Sequence, residues 1–280
     1  MSAIHVDNRL VHYEVIGRRG APVIFLHSWL GSWRYWLPTM EHAAERYRTF
    51  AIDFWGFGES DRRDGAFSIA EYVDLVMHFM NHLGIAKASV VGHGLGGMVA
   101  LRAASQNPDR FSRLMIVSTP IQGSQIQNHI KPSALSRLFF GRTAPSNVWA
   151  RLMRQLNVDY PQILNEIIED TDSLSETVVQ RVIASIAETD LREDLERLKT
   201  PLLAVFGEKD TIVSPDQARF LHDDRAAMQQ VIKLPRSSHF PFLDQPNVFN
   251  RLLMDFQESN GTQVEIKTEW RRRVSQLEYI

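Results

Sequence analysis

The sequence of 280 residues has no cysteine, no excess of charge of one sign and no long hydrophobic run. The lack of cysteine excludes disulfides, thiol catalysis and metal sites built on thiolates. With 31 Lys and Arg against 33 Asp and Glu, the formal net charge is −2, which gives no reason to expect nucleic acid or an anionic membrane as a partner. No apolar run approaches the roughly 20 residues that span a bilayer, and residues 1–7 do not resemble a signal peptide. We therefore expect a cytoplasmic protein whose partner is a small molecule, and homo-oligomerisation is left open.

A hydroxyl group is also absent from one informative position. Residues 90–97 read Val-Val-Gly-His-Gly-Leu-Gly-Gly. The two valines end a predicted strand, the glycines close a sharp turn, and Leu95 begins a predicted helix. This is the pattern of a nucleophile elbow, G-x-S-x-G. The central position, which carries serine in that motif, is Gly94.

Short apolar runs alternate with segments of helical periodicity over most of the chain. Runs typical of strands covered on both faces lie at residues 22–27, 49–53, 88–91, 114–118, 201–206 and 230–234. Residues 4–16 are predicted to form a hairpin with its turn at Asp7-Asn8. Helices are predicted over 33–47 and 248–256. The alternation predicts a doubly wound, mostly parallel β-sheet with helices on both faces.

The β/α alternation stops between about residues 121 and 190, where the pattern is helical throughout. A helical insertion between two β/α blocks predicts a cap over the carboxyl edge of the sheet, where open α/β sheets place their ligands. We therefore divide the chain into a first part of the α/β core at 1–120, a helical cap at 121–190, a second part of the core at 191–258 and a polar C-terminal tail at 259–280.

Five landmarks, each following a predicted strand, occur in a fixed order along the chain. They are His27-Ser28-Trp29, Asp53 with the glycine-rich loop at 56–60, the elbow, the segment 206–210 and the segment 238–241. Together they resemble the α/β-hydrolase superfamily over residues 4–257, in particular its single-cap branch of esterases, carbon–carbon bond hydrolases, epoxide hydrolases and haloperoxidase-like enzymes. The resemblance implies an α/β fold with an eight-stranded, mostly parallel sheet and an inserted helical cap.

The resemblance also implies the parts of a catalytic site. In that family the triad runs nucleophile, acid, histidine along the chain, and the matching positions here are Gly94, where the serine is absent, Asp210 and His239. The histidine takes a proton from the attacking oxygen, and the aspartate fixes the imidazole tautomer and stabilises its cation. The backbone N–H groups of Trp29 and Leu95 would form the oxyanion hole. No metal ion or cofactor is implied.

Other polar residues near these landmarks are predicted to be structural. Asp53, Ser60 and Asp61 lie in a tight loop and are expected to stabilise its turns. His93 precedes the centre of the elbow and is expected to point into the core beneath it. His27 is expected to form a hydrogen bond within the predicted oxyanion loop.

Glycine suits the backbone of an elbow better than serine would. The central residue normally has a positive φ, which costs a residue with a Cβ atom about 1–3 kcal/mol, whereas glycine adopts it without that penalty. The missing side chain would leave room for a water molecule, which His239 could deprotonate. A nucleophile relocated to Ser28 is less favoured because a different turn sets the direction of that side chain, and Ser237 and Ser238 are poorer candidates still.

We favour a hydrolase that acts on an ester, a lactone or a carbon–carbon bond of a mainly apolar small molecule, through the Asp210–His239 dyad and the oxyanion hole. Ordinary acyl-enzyme catalysis cannot run through glycine at position 94. Three alternatives stay open. One is a non-catalytic ligand-binding protein on this scaffold, and another is a cofactor-free lyase or oxygenase that uses the same dyad. The third is an engineered chain whose parent has serine at position 94.

Overall fold

A computed structural model describes residues 2–63, 65–126, 161–172, 174–221, 229–259 and 264. Residues 127–160 and 173 of the predicted cap lie outside the described residues, as does the predicted tail apart from Ser259 and Val264. The division into core, cap and tail therefore stays a prediction.

Eight strands form one sheet: β1 Ser2–Val6, β2 Arg9–Ile16, β3 Pro22–Leu26, β4 Arg48–Ile52, β5 Ala88–His93, β6 Phe111–Val117, β7 Leu202–Gly207 and β8 Gln229–Leu234. Their order is β1-β2-β4-β3-β5-β6-β7-β8. The β1–β2 and β2–β4 pairs are antiparallel, and all other neighbours are parallel. The predicted fold class is confirmed. Because the carboxyl ends of the parallel strands meet at one edge, the five landmarks that follow strands gather there.

The hairpin at the margin of the sheet forms where the sequence predicts it. Asp7 and Asn8 have positive φ values of 48° and 61°, as a two-residue hairpin turn requires and as short polar side chains tolerate best. Val6 lies opposite Arg9 across the turn. The turn thereby fixes the register of β1 against β2.

Among the described residues, the α-helices are α1 Leu37–Ala43, α2 Ile69–His82, α3 Leu95–Gln106, α4 Pro161–Asp172, α5 Glu176–Glu188, α6 Arg192–Arg197, α7 Pro241–Asp244 and α8 Pro246–Glu258. None of these described helices is long and apolar enough to cross a membrane. The helix predicted over 33–47 is shorter than expected, because a 3-10 turn at Trp33–Trp36 precedes α1. Ser32 caps that turn by accepting a hydrogen bond from the Arg34 N–H, and Pro38 is the second residue of α1, in the first turn where proline is tolerated.

The chain leaves the sheet after β6 and returns before β7 at nearly the same point. Gln122 and Asp190 form an isolated antiparallel bridge. Beside it, the Gly123 N–H donates to the Thr189 carbonyl at 2.9 Å. The helices α4 and α5 lie between these two ends of the insertion, in agreement with the helical pattern of the sequence there.

Candidate active site

The turn between β5 and α3 has the backbone geometry of a nucleophile elbow. β5 ends at His93, α3 begins at Leu95, and Gly94 between them has φ 50° and ψ −112°. The Gly94 N–H donates to the Val117 carbonyl on β6 at 2.9 Å, and the Gly94 carbonyl accepts the Met98 N–H at 3.1 Å. The turn is thus fixed on both sides, with residue 94 at a positive φ that favours glycine.

The imidazole of His239 and the carboxylate of Asp210 form a buried pair near this turn. Nδ1 of His239 lies 2.8 Å from Oδ2 of Asp210, and the two residues are 3% and 7% exposed. The other carboxylate oxygen accepts the N–H groups of Ile212 and Val213 at 2.8 Å and 2.9 Å. Because Nδ1 faces a carboxylate, it carries a proton, and Nε2 is the basic nitrogen.

The loop that carries His239 directs Nε2 toward the elbow. Nε2 lies 4.0 Å from the point that a Cβ atom of residue 94 would occupy. The backbone N–H and the hydroxyl of Ser238 both donate to Oδ2 of Asp244, at 2.6 Å and 2.8 Å, which fixes this loop. Burial raises the pKa of Asp244 above its ordinary value, against the opposing effect of these hydrogen bonds.

The side chain of Ser28 fills the room expected beside Gly94. A Cβ atom on residue 94 would overlap Oγ of Ser28 and lie 3.0 Å from its Cβ. Ser28 is fully buried, and its Oγ accepts the Leu95 N–H at 3.3 Å. That N–H belongs to the first turn of α3 and has no partner within the helix. The Cβ point of residue 94 is therefore occupied by the Ser28 hydroxyl, and Ser28, although it lies in a different turn, directs its side chain at the elbow.

The two residues predicted to supply the oxyanion hole adjoin Ser28, one by contact with its hydroxyl and the other in sequence. Leu95 begins α3, whose N-terminus carries a partial positive charge from the helix dipole. Trp29 follows Ser28 directly and is 5% exposed. The structure brings both residues to the elbow, and the binding of an oxyanion by their N–H groups stays a prediction.

A chain of hydrogen bonds joins Ser28 to the backbone of His239 beneath the elbow. The Ser28 N–H donates to the Tyr35 hydroxyl oxygen. The Tyr35 hydroxyl lies 3.2 Å from Nδ1 of His93, and Nε2 of His93 lies 2.9 Å from the His239 carbonyl. Because the chain starts at a backbone donor and ends at a carbonyl acceptor, Tyr35 donates to Nδ1 and His93 carries its proton on Nε2. Burial lowers the pKa of His93 far below its ordinary value, so the ring is neutral.

His93 and His27 are both fully buried, as the sequence predicted for them. Nδ1 of His27 donates to the Ser28 carbonyl at 2.7 Å, and Nε2 accepts the Phe54 N–H at 2.9 Å. Burial lowers the pKa of His27. The sequence did not indicate the link from His93 through Tyr35 to Ser28, and its only signal was a histidine next to the centre of the elbow.

A second buried His–Asp pair stabilises the loops beside the site. Nδ1 of His12 lies 2.9 Å from Oδ2 of Asp53, whose oxygens also accept the N–H groups of Trp33 at 2.8 Å and Glu59 at 3.0 Å. The hydroxyl of Ser60 donates to the Asp53 carbonyl at 2.6 Å. These contacts agree with the structural interpretation of Asp53 and Ser60. In the part of the chain that the structure describes, no group of three or more His, Asp or Glu residues is arranged to hold a metal ion.

The protonation of His12 is expected to couple stability to pH. Burial opposes the charged form, but the hydrogen bond to Asp53 and the charges of Asp53, Glu59 and Glu14 outweigh it, so the pKa of His12 lies above the ordinary 6.5. A folded-state pKa above the unfolded one stabilises the fold below the unfolded pKa, and this contribution is lost as pH rises through the folded pKa. We expect the free energy of unfolding of the wild type, minus that of His12→Asn, to fall in urea titrations as pH rises above the ordinary pKa of 6.5. A difference that is constant or grows with pH would contradict this assignment.

Comparison with known proteins decides the family. A family profile described as alpha/beta hydrolase fold matches residues 21–178, more than half of the chain. The chain belongs to the α/β-hydrolase family.

Relatives of this α/β-hydrolase cover most of its length. It is 28% identical over 261 residues to the dihydrolipoyllysine-residue acetyltransferase component of the acetoin cleaving system of Pseudomonas putida. That alignment covers 90% of this chain and 67% of the Pseudomonas protein. It is 23% identical over 275 residues to the pimeloyl-(acyl-carrier protein) methyl ester esterase of Yersinia enterocolitica, over 90% of this chain and 99% of the esterase. The enol-lactonase from Burkholderia xenovorans superposes with a TM-score of 0.77 at 22% identity, over 92% of this chain and 100% of the lactonase. This last likeness shows the shared fold.

Proposed function

We propose that this chain is a hydrolase of the single-cap branch of its family. It would cleave an ester, a lactone or a carbon–carbon bond of a mainly apolar small molecule. The observation that carries the proposal is the position of His239, whose Nδ1 bonds to buried Asp210 while its Nε2 lies 4.0 Å from the Cβ point of residue 94. A general base must be held in this way, with one nitrogen oriented by a carboxylate and the other directed at the reacting atoms.

In the proposed reaction, His239 removes a proton from the oxygen that attacks the substrate and returns it to the leaving group. Asp210 accepts the Nδ1–H bond and stabilises the imidazolium that forms. The N–H groups of Trp29 and Leu95 stabilise the negative charge that develops on the carbonyl oxygen. Because residue 94 is glycine, the attacking oxygen belongs to water or to another hydroxyl in the site. These steps use no metal ion or cofactor.

The names of the relatives and the side chains beside the site support the substrate class. The Yersinia enzyme is named for a methyl ester and the Burkholderia enzyme for an enol-lactone. Both are acyl–oxygen compounds, so attack on an acyl carbon beside an oxyanion hole would serve either one. Trp29, Leu95 and Phe240 adjoin the site residues in sequence and are buried and apolar, which favours an apolar acyl group. We expect such an enzyme to work in the cytoplasm on a small molecule, without a nucleic-acid or membrane partner.

The test is turnover by the purified wild-type chain on a panel of p-nitrophenyl esters of increasing acyl length, simple lactones and 1,5-diketones. We expect release of the acid product from at least one class above the rate in buffer. A variant without the His239 imidazole, purified in the same way, separates turnover at this site from a contaminating esterase. Absence of product across the whole panel, or equal rates for the two proteins, would contradict the proposal.

A second candidate function is ligand binding without turnover, and the glycine at position 94 favours it. A disused hydrolase site would still bind its ester or lactone by shape and by the backbone N–H groups. This candidate predicts saturable binding in calorimetry that is retained without the His239 imidazole, with no product formed. Release of acid during the titration would exclude it.

A further inference from the structure

Two reactive side chains meet at the point where residue 94 has no side chain. Oγ of Ser28 overlaps the point that a Cβ atom of residue 94 would take, and Nε2 of His239 lies 4.0 Å from the same point. A serine nucleophile needs a base within hydrogen-bond reach during the reaction. Catalytic hydrogen bonds are often long in ligand-free structures and shorten when the substrate binds. Oγ of Ser28 and Nε2 of His239 thus both lie within 4.0 Å of one point, from which substrate binding can bring them into the contact that a displaced serine–histidine pair requires.

Hydrogen bonds to both its carbonyl and its N–H hold the backbone of Ser28 in place. The Ser28 carbonyl accepts Nδ1–H of His27 at 2.7 Å, and the Ser28 N–H donates to the Tyr35 hydroxyl. Tyr35 continues through His93 to the carbonyl of His239. One chain of hydrogen bonds thus joins the backbones that carry the hydroxyl and the imidazole, and Tyr35 and His93 are its positioning residues.

The electrostatic environment of the hydroxyl favours its deprotonated form. The Leu95 N–H donates to Oγ at 3.3 Å, and it stands at the positive end of α3, a helix of 12 residues. A donor of this kind stabilises negative charge on Oγ as a base removes the proton, and once Oγ has bonded to the acyl carbon the same N–H is available to the oxyanion that forms there. The site is buried, so water does not weaken this effect.

Other hydroxyls near the same edge of the sheet are less suited. The Ser238 hydroxyl donates to Asp244 at 2.8 Å, and the Ser237 hydroxyl accepts from Gln245 at 2.8 Å. Ser118 follows β6 and is buried, and its hydroxyl has no hydrogen-bond partner among the described residues. The atoms nearest to the Cβ point of residue 94, however, belong to Ser28 and His239. Ser118 therefore serves as a matched control.

We infer that Ser28 is the nucleophile of this site, which deepens the proposed hydrolase function and rests on it. Oγ attacks the acyl carbon as its proton passes to Nε2 of His239, and the carbonyl electron pair moves onto oxygen. When the carbonyl re-forms, the alcohol leaves and takes the proton from His239. Water then attacks the acyl-Ser28 ester and gives its proton to Nε2, the carboxylic acid departs, and Oγ recovers its proton. The net reaction is ester plus water to acid plus alcohol.

The first test is covalent labelling of the full chain with a fluorophosphonate, which activated serines attack with loss of fluoride. Mass spectrometry is expected to find one adduct per chain, on the peptide that contains Ser28. Ser28→Ala is expected to lose the adduct and at least a hundred-fold of ester turnover, whereas Ser118→Ala is expected to keep both. Thermal melting of each variant shows that it is folded, and Ser28→Gly repeats the deletion without a Cβ atom.

A second readout does not depend on turnover and uses the absence of cysteine from the chain. Ser28→Cys introduces a single thiol at the proposed nucleophile, and Ser118→Cys introduces one at the control position. A neighbouring imidazole and a helix N-terminus lower the pKa of a thiol from about 8.5. At neutral pH we expect iodoacetamide to alkylate Ser28→Cys about ten-fold faster than Ser28→Cys/His239→Ala or Ser118→Cys.

The outcomes separate this inference from the function on which it rests. Hydrolysis that needs His239 but persists in Ser28→Ala, or an adduct on Ser118, would overturn Ser28 as the nucleophile and leave a hydrolase in which another oxygen attacks. Faster hydrolysis in Ser28→Ala would likewise overturn it, since the hydroxyl would then obstruct the site. A wild-type chain with neither hydrolysis nor adduct would overturn both proposals.

Discussion

Replacing His239 by alanine is expected to lower kcat/KM for an ester or lactone substrate by about 10²–10⁴-fold, the usual contribution of a positioned general base. The imidazole is the group whose Nε2 is directed at the elbow, 4.0 Å from the Cβ point of residue 94. Its other nitrogen is fixed by Asp210 at 2.8 Å. Steady-state kinetics on the best substrate of the panel would measure the change.

A loss of activity in this variant must be separated from a loss of structure. Without the imidazole, Asp210 still accepts hydrogen bonds from the backbone N–H groups of Ile212 and Val213. The bond from His93 goes to the backbone carbonyl of residue 239 and does not need the side chain. The matched control is His12→Asn, which alters the other buried His–Asp pair; we expect it to lose stability and keep kcat/KM. Equal kcat/KM for wild type and His239→Ala would remove the basis of the proposed mechanism.

The parts of this site that follow strands could be predicted from the sequence. The elbow, Asp210 and His239 each lie in the segment that follows an apolar run, and parallel strands bring such segments to one edge of the sheet. The glycine-rich motif around Gly94 predicted the turn from the local sequence alone, and Gly94 has a φ of 50° in the structure. The order of these motifs along the chain and their position after strands were therefore enough to predict the fold and the proximity of these residues, without any knowledge of side-chain packing.

Contacts set by side-chain direction could not be predicted in this way. The Ser28 hydroxyl accepts the N–H of Leu95, which is 67 residues away in sequence, and the Ser28 N–H donates to the side-chain hydroxyl of Tyr35. The pairing of His12 with Asp53 depends on the antiparallel register of β2 against β4. Nothing in the local pattern of either strand fixes that register.

Replacing Gly94 by alanine is expected to lower the free energy of unfolding by about 2–6 kcal/mol. A Cβ atom at φ 50° costs about 1–3 kcal/mol, and its overlap with the Ser28 hydroxyl adds about 1–3 kcal/mol of overpacking. Gly84→Ala is the matched control, because Gly84 has a φ of 64° and no atom lies within 4 Å of its Cβ point. Gly84→Ala should therefore lower the free energy of unfolding only through backbone strain, by about 1–2 kcal/mol. Urea unfolding of both variants would measure the difference, and equal losses would show that residue 94 is not crowded.

The crowding at residue 94 should disappear when Ser28 is also changed. Ser28→Gly alone is expected to cost about 0.5–1.5 kcal/mol, since the Leu95 N–H loses its acceptor. In the double variant Ser28→Gly/Gly94→Ala the overlap is gone. The double variant should therefore lose about 1–3 kcal/mol less free energy of unfolding than the sum of the two single losses. Strictly additive losses would mean that the Ser28 side chain turns away at little cost. A coupling of the expected size would mean that a side chain on residue 94 and the hydroxyl of Ser28 exclude each other, so that this elbow accommodates only one of them beside His239.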